Sequence, residues 1–208
     1  ERSLLMETIG LFGGTFDPIH LGHLQAAAEV RRRARLDRIL FIPSYLPPHK
    51  KSGAVASAAD RLRMVELACR RRTGFAASAI EVEAREKSYS ILTLRKLRVL
   101  APEARLFFIL GVDAFLDIGT WREYHRVLEE CYFIVTGRPG FDLGRARDVL
   151  GGGLRDAVGP LPTRGGAAGP RPPHTRDFLL TIHALKVSTT IVRARVGSRQ
   201  SADGLSPK

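Results

Sequence analysis

Short apolar runs alternate with longer segments of helical periodicity through most of the chain. Residues 8–12 and 38–43 are apolar runs that predict buried strands. Between them, residues 21–36 repeat apolar positions every three or four residues, which predicts an amphipathic helix. A strand, a helix and a second strand in this order form the unit that builds parallel sheets.

The same alternation continues along the chain and predicts an α/β protein. Asp60 and Ser88 are the predicted N-caps of the next two helices. Further helices are predicted at 60–72, 88–100, 113–130 and, short, at 188–196. Further strands are predicted at 75–82, 104–111, 131–140 and 178–187.

Residues 151–177 break the pattern, because this segment is rich in Gly, Pro, Ala and Arg. Such a composition buries too little apolar surface to offset the entropy of ordering. We therefore predict a mobile insertion at about 151–177. No composition shift marks a domain boundary elsewhere, so residues 1–208 are predicted to form one domain.

The composition favours a cytoplasmic protein. Hydrophobic residues make up 44% of the chain and charged residues 26%, and charges interrupt every apolar run before it could span a membrane. The first residues do not resemble a secretory signal. Cys69 and Cys131 lie in separate apolar stretches outside any CxxC, which predicts buried free thiols. No membrane partner is expected.

The net charge of +12 predicts a polyanionic partner, either a nucleic acid or a phosphorylated small molecule. Much of the excess lies in two triple-arginine runs, 31–33 and 70–72, at the ends of predicted helices, where a solvated face is the plainer interpretation. We find no RNP-like aromatic strand, zinc knuckle or recognition helix, so no specific nucleic-acid partner is expected. A basic nucleic-acid-binding protein is kept as the alternative from another class.

The stretch GGTFDPIHLGH, residues 13–23, carries the strongest chemical signal. A strand, a glycine turn and a helix start place free backbone N–H groups at the positive end of a helix dipole, where anions bind. His20 and His23 stand at i and i+3, so both imidazoles can face one point. Such donors can stabilise charge on a phosphate under attack. No third metal ligand stands nearby, so no protein-bound metal is predicted; a plain helix cap is the alternative.

This stretch resembles the signature of the HxGH nucleotidyltransferases, and in particular the bacterial nicotinate-nucleotide adenylyltransferase family. Further segments match that family in order, and the resemblance spans roughly residues 9–193. These segments are PPHK (47–50), RLRMVELA (61–68), SYSILTL (88–94), GVDAFLDIGTW (111–121), GRPG (137–140) and VSTTIVR (187–193).

The resemblance implies a Rossmann-like, doubly wound parallel sheet with helices on both faces. It also implies adenylyl transfer from ATP to nicotinate mononucleotide in NAD biosynthesis, with Mg²⁺ entering on ATP. The implied catalytic residues are His20, His23, Lys50 and Arg193. The implied ATP-binding residues are Gly13, Gly14, Thr15, Phe16, His20, His23, Gly111, Asp113, Ser188, Thr189 and Arg193. The implied acceptor-binding residues are Thr15, Lys50, Tyr89, Thr93, Asp113, Trp121 and Arg138.

The chain departs from the family pattern in one segment that bears on the acceptor. Where the family has SYTxDT, this chain has Ser90 in place of the first Thr and Leu92 in place of the Asp. A related adenylyltransferase acting on nicotinamide mononucleotide or another phosphorylated acceptor is therefore the runner-up. The sequence leaves a homo-oligomer open.

Overall fold

The computed structural model describes residues 6–48 and 54–137, together with the backbone of two strands at 158–159 and 177–181. The strands are β1 (Thr8–Gly14), β2 (Arg38–Pro43), β3 (Phe75–Ala77), β4 (Arg105–Gly111), β5 (Tyr132–Gly137), β6 (Val158–Gly159) and β7 (Asp177–Thr181). The α-helices are α1 (Leu21–Ala34), α2 (Ala58–Cys69), α3 (Ile80–Ala84), α4 (Ser90–Leu100), α5 (Val112–Leu116) and α6 (Tyr124–Glu130).

The described strands form one parallel sheet in the order β3-β2-β1-β4-β5-β7-β6. The chain begins near the middle with β1, runs outward through β2 to β3, and then returns to add β4 on the other side of β1. This order confirms the predicted Rossmann-like α/β fold. The reversal between β1 and β4 is the switch point at which open α/β sheets bind their ligands.

The core divides into two apolar clusters, one on each face of the sheet, because side chains alternate along every strand. Leu11 of β1 packs in the cluster that includes residues of α4, α5 and α6. Phe41 of β2 packs in the cluster that includes residues of α1 and α2. The prediction of helices on both faces is therefore confirmed.

Two predicted elements are shorter or more broken than the apolar pattern indicated. The strand predicted at 75–82 is wrong beyond Ala77, because β3 pairs only with β2 and the chain then turns into α3. The single helix predicted at 113–130 is also wrong. It divides into α5, a 3-10 turn at Ile118–Thr120 and α6, and Glu123 adopts the left-handed conformation (φ 52°) immediately before α6.

Both predicted helix caps are wrong by a few residues. Ser57, not Asp60, is the N-cap of α2, since its Oγ accepts the backbone N–H of Asp60 at 3.1 Å. Ser88 lies outside α4, which begins at Ser90, and its Oγ instead accepts the N–H of Tyr45 at 2.8 Å. Ser88 therefore joins the start of α4 to the segment that leaves β2.

Several predictions fall on residues that the structure does not describe. Apart from β6 and the first residue of β7, the predicted insertion at 151–177 lies outside the described residues. So do the predicted strand beyond Thr181 and the predicted helix at 188–196. Among the helices that are described, none has the length and apolar character needed to cross a membrane.

Candidate active site

A cleft of about 290 Å³ opens at the switch point, beside the carboxyl ends of β1 and β4. This is the position where the fold places ligands. Of the residues predicted for the site, five line the cleft: Gly13, Gly14, Thr15, Tyr89 and Trp121. The other lining residues are Ser44, Pro47, Pro48, Glu81, Ser88, Ser90, Phe108, Ile109, Leu110, Ala114 and Arg122.

The turn after β1 forms the floor of the cleft. Gly14 leaves little room for a side chain, because a Cβ there would lie 3.1 Å from the ring of Phe16, a tight contact. Phe16 adopts a left-handed backbone conformation (φ 47°), which is rare for a bulky residue. Its ring is only 2% exposed and packs in the core with Phe41. Phe16 therefore supports the turn from the core side, and its ring does not line the cleft.

The structure brings His20 and His23 together at the N-terminus of α1. His20 is the N-cap, and its backbone N–H donates to Nδ1 of His23 at 3.3 Å. The two rings stack, with centroids 3.7 Å apart and planes 22° from parallel. His23 thus caps the helix with one ring nitrogen, so the capping and catalytic interpretations are compatible.

Burial keeps both imidazoles neutral. Burial, with a smaller contribution from the neighbouring His20, lowers the pKa of His23 to about 3. Burial also lowers the pKa of His20. Because Nδ1 of His23 accepts a hydrogen bond, the proton of the neutral ring is placed on Nε2. His23 can therefore donate a hydrogen bond from Nε2 without carrying a charge.

Aromatic side chains form one wall of the cleft. The ring of Trp121 meets Phe108 edge to face, with centroids 5.8 Å apart. The guanidinium carbon of Arg122 lies 5.0 Å from the centre of the Tyr89 ring. Such a wall suits a flat, aromatic ligand group, since stacking is favourable whatever the edge pattern of that group.

Glu81 lines the cleft next to this wall, and sequence reasoning missed it. The Oγ1 of Thr93 donates to Oε1 of Glu81 at 2.6 Å. Burial raises the pKa of Glu81, and hydrogen bonds from Thr93 and Ser88 oppose that rise. Thr93 itself is 4% exposed and does not line the cleft, so its link to the cleft runs through Glu81. Glu81 was missed because its segment was assigned to the strand predicted at 75–82.

The remaining predicted residues divide into two groups. Gly111 and Asp113 lie where β4 passes into α5, and both are exposed beside the cleft without lining it. The others lie outside the described residues, and their roles stay predictions: Lys50, Arg138, Ser188, Thr189 and Arg193.

A cleft at the switch point, a glycine turn and a histidine pair at a helix start together define a nucleotide-binding site of the nucleotidyltransferase type. A family model for cytidylyltransferase-like proteins matches residues 11–195. A protein of Desulfatibacillum aliphaticivorans, named probable nicotinate-nucleotide adenylyltransferase, is 39% identical over 204 residues, covering 96% of this chain and 93% of its own. A Solibacter usitatus protein of the same name is 50% identical over 133 residues, which cover 64% of this chain and 70% of that protein.

Solved structures agree on the fold. The Plasmodium falciparum nicotinic acid mononucleotide adenylyltransferase complexed with NaAD matches 95% of this chain and 87% of its own, with a TM-score of 0.67 and 16% identity. The same enzyme complexed with APC matches 94% of this chain and 86% of its own, with a TM-score of 0.65 and 16% identity. The chain belongs to the nicotinate-nucleotide adenylyltransferase family, within the cytidylyltransferase-like proteins.

Proposed function

We propose that this protein transfers the adenylyl group of ATP to nicotinate mononucleotide, giving deamido-NAD and pyrophosphate. The observation that carries the proposal is the stacked pair of His20 and His23 at the start of α1. The pair follows the glycine turn that floors the cleft, and neither histidine lines the cleft itself. The names of the relatives support the choice of reaction.

In this reaction a phosphate oxygen of the acceptor nucleotide attacks the α-phosphorus of ATP. A new P–O bond forms as the bond from the α-phosphorus to the bridging oxygen breaks, and pyrophosphate leaves with that oxygen and its electron pair. No side chain becomes covalently attached. The protein therefore contributes position and charge stabilisation.

The start of α1 supplies the charge stabilisation. The Nε2–H of His23 donates to a phosphate oxygen on which negative charge develops, and the helix dipole acts in the same direction. Because the pKa of His23 is about 3, its imidazole stays neutral and keeps the Nε2–H throughout the physiological pH range. Gly13 and Gly14 allow the phosphates to approach the backbone of the turn.

The aromatic wall holds the acceptor. Trp121 and Tyr89 stack against the pyridine ring. Glu81, held by the hydrogen bond from Thr93, faces the same part of the cleft. Asp113 binds ribose hydroxyls from the carboxyl end of β4. The residues outside the described ranges keep the roles implied by the family resemblance: Lys50, Ser188, Thr189 and Arg193 on the phosphates, and Arg138 on the acceptor.

Magnesium enters with the triphosphate in this proposal. Within the described ranges no group of three His, Cys, Asp or Glu side chains could hold a metal ion. When bound, Mg²⁺ would neutralise charge on the phosphates. We also propose a cytoplasmic location, in keeping with the thiols of Cys69 and Cys131, which are both buried.

A pyrophosphate-release assay with ATP and three acceptors tests the proposal: nicotinate mononucleotide, nicotinamide mononucleotide and phosphopantetheine. We expect clear preference for nicotinate mononucleotide. The His23→Ala variant, purified in parallel, is the control for contaminating activity. Equal or faster turnover with phosphopantetheine would overturn the assignment, and faster turnover with nicotinamide mononucleotide would replace the acceptor.

A further inference from the structure

Arg61 of α2 is a buried charged side chain for which neither the sequence nor the proposed mechanism supplies a role. It is only 1% exposed and ranks first by volume among the fully buried side chains of the described residues. A guanidinium taken out of water costs much free energy unless its donors are satisfied. Its partners therefore indicate what it holds.

Each partner is a backbone carbonyl from a different segment around the site. Nη1 donates to the carbonyl oxygen of Thr15 at 2.7 Å. Nη2 donates to that of Tyr45 at 3.2 Å, and Nε donates to that of Ala56 at 3.2 Å. One planar group thus joins the turn after β1, the exit of β2 and the entry to α2.

Asp17 extends this connection from the turn itself. Its carboxylate is 5% exposed, and its two oxygens accept the N–H groups of Val55 at 2.7 Å and Ala56 at 3.2 Å. Burial lowers the pKa of Arg61, and the nearby charge of Asp17 opposes that effect. Ala56 is therefore held through both backbone groups, its N–H by Asp17 and its carbonyl by Arg61.

The bond to Thr15 matters because of the backbone that follows it. Phe16 has a φ of 47°, so the turn adopts a conformation that a bulky residue rarely takes without support. In a trans peptide the carbonyl and the next N–H point in opposite directions. Fixing the Thr15 carbonyl therefore fixes the direction of the Phe16 N–H in the turn that floors the cleft.

We propose that Arg61, together with Asp17, is a positioning residue for adenylyl transfer, which holds the Thr15–Phe16 peptide in its working orientation. This inference rests on the proposed function. Arg61 does not line the cleft and acts through the turn.

Arg98 provides a matched control at the opposite edge of the sheet. Its guanidinium also donates to three backbone carbonyls, those of Pro102 at 3.2 Å, Ala104 at 2.8 Å and Glu130 at 3.0 Å. These residues lie at the amino ends of β4 and β5. Arg61→Met and Arg98→Met therefore remove similar bonds from opposite edges.

The experiment compares both variants with the unaltered protein well below their melting temperatures. We expect both to melt earlier, but only Arg61→Met to lose turnover, by about 100-fold, since small misplacements of reacting groups have effects of that size. Its ATP dissociation constant, measured by calorimetry, should rise roughly tenfold, as for the loss of one charged hydrogen bond. Arg61→Lys keeps the charge but not the fork of donors, so it should restore less than a tenth of the lost turnover.

Equal turnover and equal ATP affinity in Arg61→Met and Arg98→Met would reduce Arg61 to a stabilising residue and overturn the proposal. If Arg61→Met does not fold, Asp17→Asn replaces it, and unchanged turnover in that variant would overturn the proposal in the same way. Failure of the proposed function is separate, because it would appear in the unaltered protein as no ATP binding or no transfer to any acceptor.

Discussion

At the carboxyl edge of the sheet, polar side chains are buried, whereas at the amino edge they stay near solvent. All five polar or charged side chains that are buried within the described part of the chain lie at the carboxyl edge: Asp17, His20, Ser44, Arg61 and Thr93. At the amino edge, Arg38 and Glu7 form an ion pair with side chains 41% and 44% exposed. Thr8 and Asp37 exchange hydrogen bonds there and are only partly buried.

The two edges therefore differ in how far their polar side chains depend on each other. Exposed pairs contribute little to stability and tolerate replacement, because water competes for both partners. A buried polar group loses its hydrogen bonds to water and needs a partner within the protein. Removing that partner leaves the group unsatisfied. At the carboxyl edge, buried polar groups such as Arg61 and Thr93 are satisfied by bonds to the turns and helices that surround the cleft.

The largest effect should come from removing His23 at the carboxyl edge of the sheet. His23→Ala should lower turnover by roughly 100- to 1000-fold, because it removes a fixed donor to developing charge. It should also lower the free energy of unfolding by about 1 kcal/mol, because Nδ1 no longer accepts the His20 N–H. Steady-state pyrophosphate release and thermal melting measure the two effects.

Thr8→Val is the matched change at the amino edge. It removes the hydroxyl that donates to Asp37 at 2.7 Å, and should cost about 1 kcal/mol of stability while leaving turnover within about twofold. Near-normal turnover in His23→Ala, or a large loss in Thr8→Val, would contradict the contrast between the edges.

A smaller effect is expected at the aromatic wall. Trp121→Ala should raise the KM for the acceptor nucleotide about 10- to 100-fold through lost stacking, with little change in the KM for ATP. Tyr132 stacks on Phe107 with centroids 5.0 Å apart at the amino end of β5, and Tyr132→Leu is the control. That variant should melt earlier with both KM values unaltered. An unchanged acceptor KM in Trp121→Ala would remove Trp121 from the acceptor site.

A further prediction concerns the pH dependence of stability. The pKa of His23 falls from 6.5 in the unfolded chain to about 3 in the fold, so in that window the unfolded chain binds a proton that the folded chain does not. Stability should therefore fall as the pH falls from 6.5 towards 3, by about 1 kcal/mol per pH unit from this residue. Urea unfolding at a series of pH values measures the slope.

Two histidine variants make that measurement specific. In His23→Asn the side-chain oxygen can still accept the His20 N–H but cannot be protonated, so the slope should be shallower. His125→Asn, which replaces an exposed histidine, is the control variant. The same slope in all three proteins would show that His23 is not the buried group responsible.

Local sequence patterns predicted the parts of this protein whose interactions are local. Apolar periodicity placed α1, β1, β2 and β4, because helices and buried strands repeat their buried positions over a few residues. The strand, glycine turn and histidine pair of 13–23 could also be read directly, since the i and i+3 spacing brings His20 and His23 together within one helical turn.

The elements and side chains that depend on distant partners could be placed only from the folded chain. The end of β3 at Ala77 follows from its pairing with β2, and no local pattern marks it. Glu81 lines the cleft and accepts a hydrogen bond from Thr93, which lies in another helix. Arg61 reaches Thr15 across 46 residues of sequence. A charged residue in an amphipathic helix is expected to be exposed to solvent. Arg61 is buried because the folded chain supplies three carbonyls that satisfy its donors.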